Sequence, residues 1–512
     1  MRKLTKISAL LLAMVFMFGF QSCHKYKKGD VLNYVPEDVT LLVYMNTTEV
    51  SSQLGVSEDG TIGEPLKGLL EKNGADLDEL QKGFNLMKDF SNETVVFIKD
   101  KKLWGIGGLK STKNLIKYLK NEKHFDENKE DGVKFFRTGD GTIMIKDNMI
   151  FTCLDLEEGK FITNTSGVKE LCKLKKSSFG KSEKTKSLAE NIVKGDYTLY
   201  FLANFNKIAG MARTSEFDQF MSTLSMIYDD PTYATADLKL TDKGIFINAG
   251  VLNKNFSPAK CNISLGQIDL SELRYASVQG NNVAVALSLP SQLISQIDAV
   301  AGKYLTTEQR TFLNSINGTV GLTLDVTAAT KDNAFALMGT ATSPAATDNI
   351  TKFLQQLLNN KALFSTSGNY IRMYPQGGSA QPSGDISYAS ALNGKAAGAV
   401  ADLGAIAQSM GLRGNIADLG TLCVYVDPSN NSLTFKAEWN CSNPIQHLID
   451  LFNHRNQVFD AIDNLSRYSF VNKRDYDDYS YDSYDSYGYD EYAAPEAPVQ
   501  DAQAAVADPY YY

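Results

Sequence analysis

Histidine, cysteine and paired carboxylates are the side chains with which a protein most readily binds metals or moves protons, and here they are widely scattered. Four histidines stand at positions 24, 124, 447 and 454. His447 and His454 fall on one predicted helix. At about 1.5 Å per residue their backbones lie roughly 10 Å apart, too far to share a metal. Both read as helix-surface or hydrogen-bonded polar residues. Gly180-Lys181-Ser182 has the ending of a phosphate loop, but the glycine required five residues earlier is Lys175. Gly105-Ile-Gly-Gly108 lacks the third glycine of a dinucleotide loop and reads as a strand-to-turn cluster. No GxSxG or HExxH occurs. Asp229-Asp230 and Glu157-Glu158 read as surface or loop charges. Asp475 and Asp477 offer oxygen ligands, but the glycine and glutamate of a calcium loop are missing. The expectation is no catalytic residue, no cofactor and no metal.

One position does carry chemistry. Arg2, Lys3 and Lys6 precede an apolar run from Ile7 to Phe20, which ends in Gln21-Ser22-Cys23. The run is shorter than the ~20 residues that cross a bilayer, so it reads as the core of a signal peptide rather than a span. A small residue followed by cysteine at its end predicts a lipoprotein signal, residues 1–22, with Cys23 as the lipid attachment site. Three acyl chains there bury dozens of methylenes at about 0.8 kcal/mol each, ample for stable anchoring. The other reading is an ordinary secretory signal that leaves Cys23 as a free thiol. His24-Lys25-Tyr26-Lys27-Lys28 is basic. Surface-exported lipoproteins of the Bacteroidota type carry acidic residues there, so the predicted location is the outer membrane, facing the periplasm. Of the other five cysteines, Cys423 and Cys441 flank one predicted hairpin where a bridge is feasible; buried free thiols are the preferred reading.

The elements that would position any site are repeated. Val39 to Asn46, Tyr197 to Asn204, Val283 to Leu289 and Ala396 to Leu403 each read as a strand followed by a turn and a helix. Thr94 to Asp100, Leu103 to Ile106 and a helix around Asn114-Leu119 match Thr319 to Asp325, Phe335 to Met338 and a helix around Asn349-Leu354. Thr347 or Asp348 would cap the latter helix. Asp147-Asn148 and Asp242-Lys243-Gly244 mark hairpin turns. A helix starting at Asn443-Pro444 would bury Ile445, Leu448, Ile449 and Phe452. The predicted class is α+β: two similar halves, 39–265 and 270–465, each a mainly antiparallel sheet with helices on one face. Residues 23–38 read as an anchor linker.

The 512-residue chain has a formal net charge of −8, unevenly distributed. The signal is basic and residues 475–512 hold eight Asp and two Glu without Lys or Arg, which leaves the body nearly neutral. That balance lacks a nucleic-acid footprint. The Tyr/Asp/Ser tract and the Ala/Pro-rich end, 474–512, have no aliphatic periodicity and read as a disordered tail. Its tyrosines are of the type enriched at binding hot spots, which suggests an envelope protein partner.

The phrase Tyr34-Val-Pro-Glu-Asp-Val-Thr-Leu-Leu-Val-Tyr-Met-Asn46, shortly after a lipid-box cysteine, resembles Bacteroidota lipoproteins of domain of unknown function family 4836. The resemblance spans roughly 30–465. It implies an address and a class, and supplies no activity and no site residues. The expected role is non-enzymatic: a cell-envelope protein held in the membrane by its acyl chains and acting in binding or assembly. The alternative is an envelope hydrolase acting on glycan or peptide through carboxylates that only the fold brings together.

Overall fold

Leu41–Asn46 (β1) is almost wholly buried, as a continuous apolar run predicts for a strand covered on both faces. It pairs with Phe90–Lys99 (β2) on one side. A computed structural model of the chain describes residues 27–453, apart from 47, 57–60, 62, 65–66, 69–89, 122, 138–140, 212–213, 327, 329–334, 359–361, 410–417 and 429–431. The signal, Cys23, His454, the end of the second half and the tail lie outside the described residues.

The remaining strands of the first half are Lys102–Leu109 (β3), Glu127–Glu130 (β4), Val133–Arg137 (β5), Thr142–Lys146 (β6), Met149–Asp155 (β7), Lys160–Phe161 (β8), Leu199–Asn204 (β9), Tyr233–Thr241 (β10) and Gly244–Leu252 (β11). The second half holds Val283–Leu289 (β12), Ile316–Leu324 (β13), Phe335–Ala341 (β14), Ala362–Ser367 (β15), Tyr370–Pro375 (β16), Ala397–Asp402 (β17), Thr421–Asp427 (β18) and Thr434–Asn440 (β19). The fold is α+β and the pairings are antiparallel. In the first half the spatial order is β7, β3, β2, β1, β9, β10, β11. In the second it is β16, β14, β13, β12, β17, β18, β19, the same path strand for strand. The two paths meet where β11 pairs with β19, so one ladder runs through both halves. Periodicity marks strands but carries no information about this join.

Local chemistry explains the turns. Asp147 and Asn148 both adopt positive φ, as do Asp100 and Lys101. Two left-handed residues in a row match the twist of a tight hairpin, and Asp and Asn tolerate that conformation.

Several expectations need correction. Helices cover both faces of the first half, not one. Val168, Leu171, Ala189 and Ile192 pack against Leu42, Tyr44 and Phe97, while Leu115 and Leu119 pack against Val43, Met45 and Val96 on the other side. The supposed linker 23–38 enters the core from Val31 onward. Asp30–Tyr34 forms a 3-10 turn, and Val31, Leu32 and Val35 are fully buried because they seal the sheet face opposite Leu115. The helix Ala346–Leu357 begins after Ala345, so Thr347 lies inside it and donates its hydroxyl to the Pro344 carbonyl. In the helix Pro444–Asn453 the buried face includes His447, 4% exposed, whereas Leu448 is 43% exposed. His447 turns inward beside the Trp439 ring.

Cys153, Cys172, Cys261, Cys423 and Cys441 are all free thiols. Burial pushes Cys153 up to about 12 and Cys172 and Cys441 up to about 11. At about pH 8 the thiolate population of these three is then smaller than that of a free cysteine by about 100-fold or more. Native protein treated with iodoacetamide should leave them unmodified while a denatured control is alkylated fully. Rapid native alkylation, or an intact mass showing a disulfide, would contradict this arrangement.

Candidate functional site

The sequence places one carboxylate, Glu93, next to the apolar run Thr94 to Ile98. In the structure it sits in β2 where the pairing with β3 slips between Phe90 and Thr94. Such bulges re-aim side chains. Glu93 is 4% exposed. Its Oε1 accepts the Tyr44 hydroxyl at 2.5 Å and the Gly29 N–H at 2.8 Å; its Oε2 accepts the same N–H at 2.7 Å. Burial raises the Glu93 carboxyl above its ordinary range, against the opposing pull of Tyr44, Gly29 and Lys28. Gly29 has φ +89°, and a Cβ there would run into the Val193 side chain. Glycine is therefore what lets the chain approach the carboxylate.

Glu93 forms part of the wall of a pocket of about 410 Å³ at this end of β1, β2, β9 and β10. Lys28 and Lys239 supply cations, and Glu49 and Asp196 further carboxylates. Asn46, Thr48, Ser91, Asn92 and Thr198 supply amides and hydroxyls. Most of these groups are already held. Lys28 Nζ lies 2.5 Å from Asp196, and that bond holds the Asp196 carboxyl below its ordinary value. Asn92 donates to Thr48, which donates to Asn46, and Gln53 donates to Glu49. Lys28 thus brings the N-terminal segment into the pocket lining, and the Gly29 N–H ties that segment to Glu93.

The residues singled out from sequence do not gather here. Gly180 donates its N–H to the Leu32 carbonyl, Phe179 to that of Val35, and the Ser182 hydroxyl is donated to Glu37. The loop resembling a phosphate site therefore spends its donors in seating residues 30–37. Ser178 and Lys181 stand at S-x-x-K spacing, which sequence reading passed over. Ser178 is fully buried with its hydroxyl donated to the Lys175 carbonyl, and Lys181 is exposed. Gly105, Gly107 and Gly108 lie inside β3, paired with β7, and form no loop. Asp230 lies in a turn, and Glu157 forms an exposed ion pair with Lys101. Among the described residues, no three His, Cys, Asp or Glu side chains cluster as metal ligands would. The signal for Glu93 was present in the sequence as a charge at the edge of a buried strand, but its partners Gly29 and Tyr44 are 64 and 49 residues away.

No family model matches the chain, and no curated protein matches it. Solved structures that match include crystal forms of TP0453. Form IV is 7% identical, covering 44% of this chain and 80% of that one, with a TM-score of 0.29. Form I is 7% identical and form III 9%, each covering 68% of this chain and 92% of that one, with TM-scores of 0.27 and 0.26. A likeness at this level carries no weight for fold or activity.

Proposed function

We propose that the chain is a lipid-anchored, non-enzymatic protein of the cell envelope, held at the periplasmic face of the outer membrane by acyl groups on Cys23, that binds a small polar ligand in the Glu93 pocket. The observation that supports this most is the docking of the N-terminal segment at that pocket, with Lys28 in its lining and the Gly29 N–H on Glu93. Cys23 and Lys28 are five residues apart, and at most ~3.6 Å per residue keeps the pocket within about 18 Å of the lipid attachment point. Mixed charges and fixed hydroxyls suit a ligand carrying several hydrogen-bonding groups and both signs of charge. The resemblance to the Bacteroidota family of unknown function belongs to the same proposal, as does recruitment of an envelope protein partner by the tail.

One observation favours the hydrolase alternative. Glu93 has the raised carboxyl that a general acid needs, and Asp196 and Glu49 line the same pocket. Against it, both Glu93 oxygens already accept hydrogen bonds from its own chain, and Asp196 is held by Lys28. A positioned proton donor needs a free face toward substrate.

Metabolic labelling with an alkyne fatty acid tests the anchor: wild type should be tagged and Cys23→Ala should not, and equal labelling would overturn it. Mass spectrometry of small molecules released from the purified native protein tests the pocket. Wild type and Lys239→Ala should differ in one released polar compound. Identical profiles, or turnover of envelope glycan or peptide that Glu93→Gln abolishes, would overturn the binding reading.

A further inference from the structure

The sheet carries a second surface, apart from the Glu93 pocket. Residues directly opposite one another in an antiparallel sheet point to the same face. One such row crosses six strands: Ile247, Ala437, Val424, Ala399, Val285 and Leu322. The rows on either side, from Ala249 to Val320 and from Ile245 to Leu324, are apolar throughout as well. No residue in these three rows is buried, although their neighbours on the reverse face, such as Ala284, Ala286 and Val400, are. Val285 is 40% exposed, Leu287 37%, Leu422 37% and Phe435 45%. Val320 and Trp439, at the edges of the rows, pack against the Ile350 and Leu419 clusters of the chain itself. Six strands at ~4.8 Å spacing and three rows, less those two positions, give a footprint of roughly 500 Å². That is in the upper part of the range of the largest apolar patches on ordinary monomers.

We infer that this face is covered by a second copy of the chain, packed sheet on sheet. Two footprints total about 1,000 Å², which reaches the ~1,000 Å² that a specific interface needs. The relief is self-complementary at its centre. β17 presents only Ala397, Ala399 and Ala401, a trough between the ridge of Leu422, Val424 and Val426 on β18 and that of Val283, Val285 and Leu287 on β12. A two-fold axis lying along the strands between β17 and β18 sets each copy's β18 ridge over the other's β17 trough, the isologous contact that closes a dimer. A bilayer is the poorer fit. Interfacial protein surfaces carry basic and aromatic residues with free polar tips. These rows contain no Lys or Arg, and the Trp439 N–H is donated to the Leu419 carbonyl.

Sedimentation of the mature chain, residues 23–512 with Cys23→Ser to prevent acylation, tests the inference. Wild type should sediment as a dimer at micromolar concentration. Leu287→Asp combined with Leu422→Asp should raise the dimer dissociation constant by about 100-fold or more without changing the near-ultraviolet dichroism. Ala399→Trp fills the trough without adding charge and should do the same, so it decides the matter if the aspartate variant misfolds. A wild type that stays monomeric at tens of micromolar, or a dimer that survives Ala399→Trp, overturns the inference. So does a monomer that binds phosphatidylethanolamine–phosphatidylglycerol vesicles through this face.

Discussion

Glu93→Ala is expected to lower the stability of the chain by about 1–3 kcal/mol and to release its N-terminal segment. The substitution takes the acceptor from the Gly29 N–H and one bond from the Tyr44 hydroxyl. A buried donor left without an acceptor costs about 1–3 kcal/mol. Removing a buried carboxylate recovers part of its own desolvation, which keeps the loss within that range. Urea denaturation measures the loss. Trypsin measures the release, because cleavage after Lys28 should become fast once Gly29 is no longer held. A variant as stable and as resistant as wild type would show that the carboxylate does not seat the segment. The pH dependence has a definite sign. Burial raises the native Glu93 carboxyl above the ordinary value of 4.5, so the native state holds a proton that the unfolded chain has given up. Its contribution to stability is present in full below the ordinary value and is lost as pH rises through the native one. Glu93→Gln does not titrate. Going from about pH 7 to about pH 4.5 should therefore shift the stability difference toward the wild type. A shift toward the variant would mean that hydrogen bonding, not burial, dominates the carboxyl.

Strand identity was legible where one period held over several residues. β1, β9 and β12 follow from their apolar runs, and a helix around Asn114–Leu119 is found as Thr112–Asn121. Tight turns followed from Asp147-Asn148, whose side chains tolerate the required backbone. What stayed hidden was long-range. Residues 28–38 look like a tether because they are short and rich in turn formers, yet Val31, Leu32 and Val35 are buried by partners more than a hundred residues away, including Phe179 and Ile192. His447 reads from sequence as a helix-surface or hydrogen-bonded polar residue; the structure buries it, because Trp439 from β19 covers that side. The Glu93 pocket was invisible for the same reason. Its walls come from the N-terminal segment, β1, β2, β9 and β10, and only the sheet order brings them together.

The join between the halves is where small backbone changes should have their largest effect. Gly244 opens β11 opposite Asn440, at φ +150°, and a Cβ there would run into the Trp439 carbonyl oxygen. Gly420 precedes β18 at φ +61°, and a Cβ there would meet the Asn440 carbonyl oxygen. Both obstacles are backbone atoms of the ladder, which cannot swing aside as a side chain can. A left-handed residue other than glycine costs about 1–2 kcal/mol, and forced overpacking about 1–3 kcal/mol more. Gly420→Ala should therefore lose about 2–5 kcal/mol, and Gly244→Ala a similar amount. Gly368, in the β15–β16 turn, provides the control: its φ is +62°, but nothing lies within 4 Å of its added Cβ. Gly368→Ala should lose only the backbone share, about 1–2 kcal/mol. Because β11–β19 is the pairing that carries the ladder from one half to the other, weakening it should also uncouple the halves. Calorimetry of Gly244→Ala should show two unfolding transitions where wild type shows one. The exposed apolar rows cross the same pairing, so this variant should also weaken self-association without touching the face itself. If Gly420→Ala costs no more than Gly368→Ala, or Gly244→Ala unfolds in a single transition at the wild-type temperature, then the halves are not held together through β11 and β19.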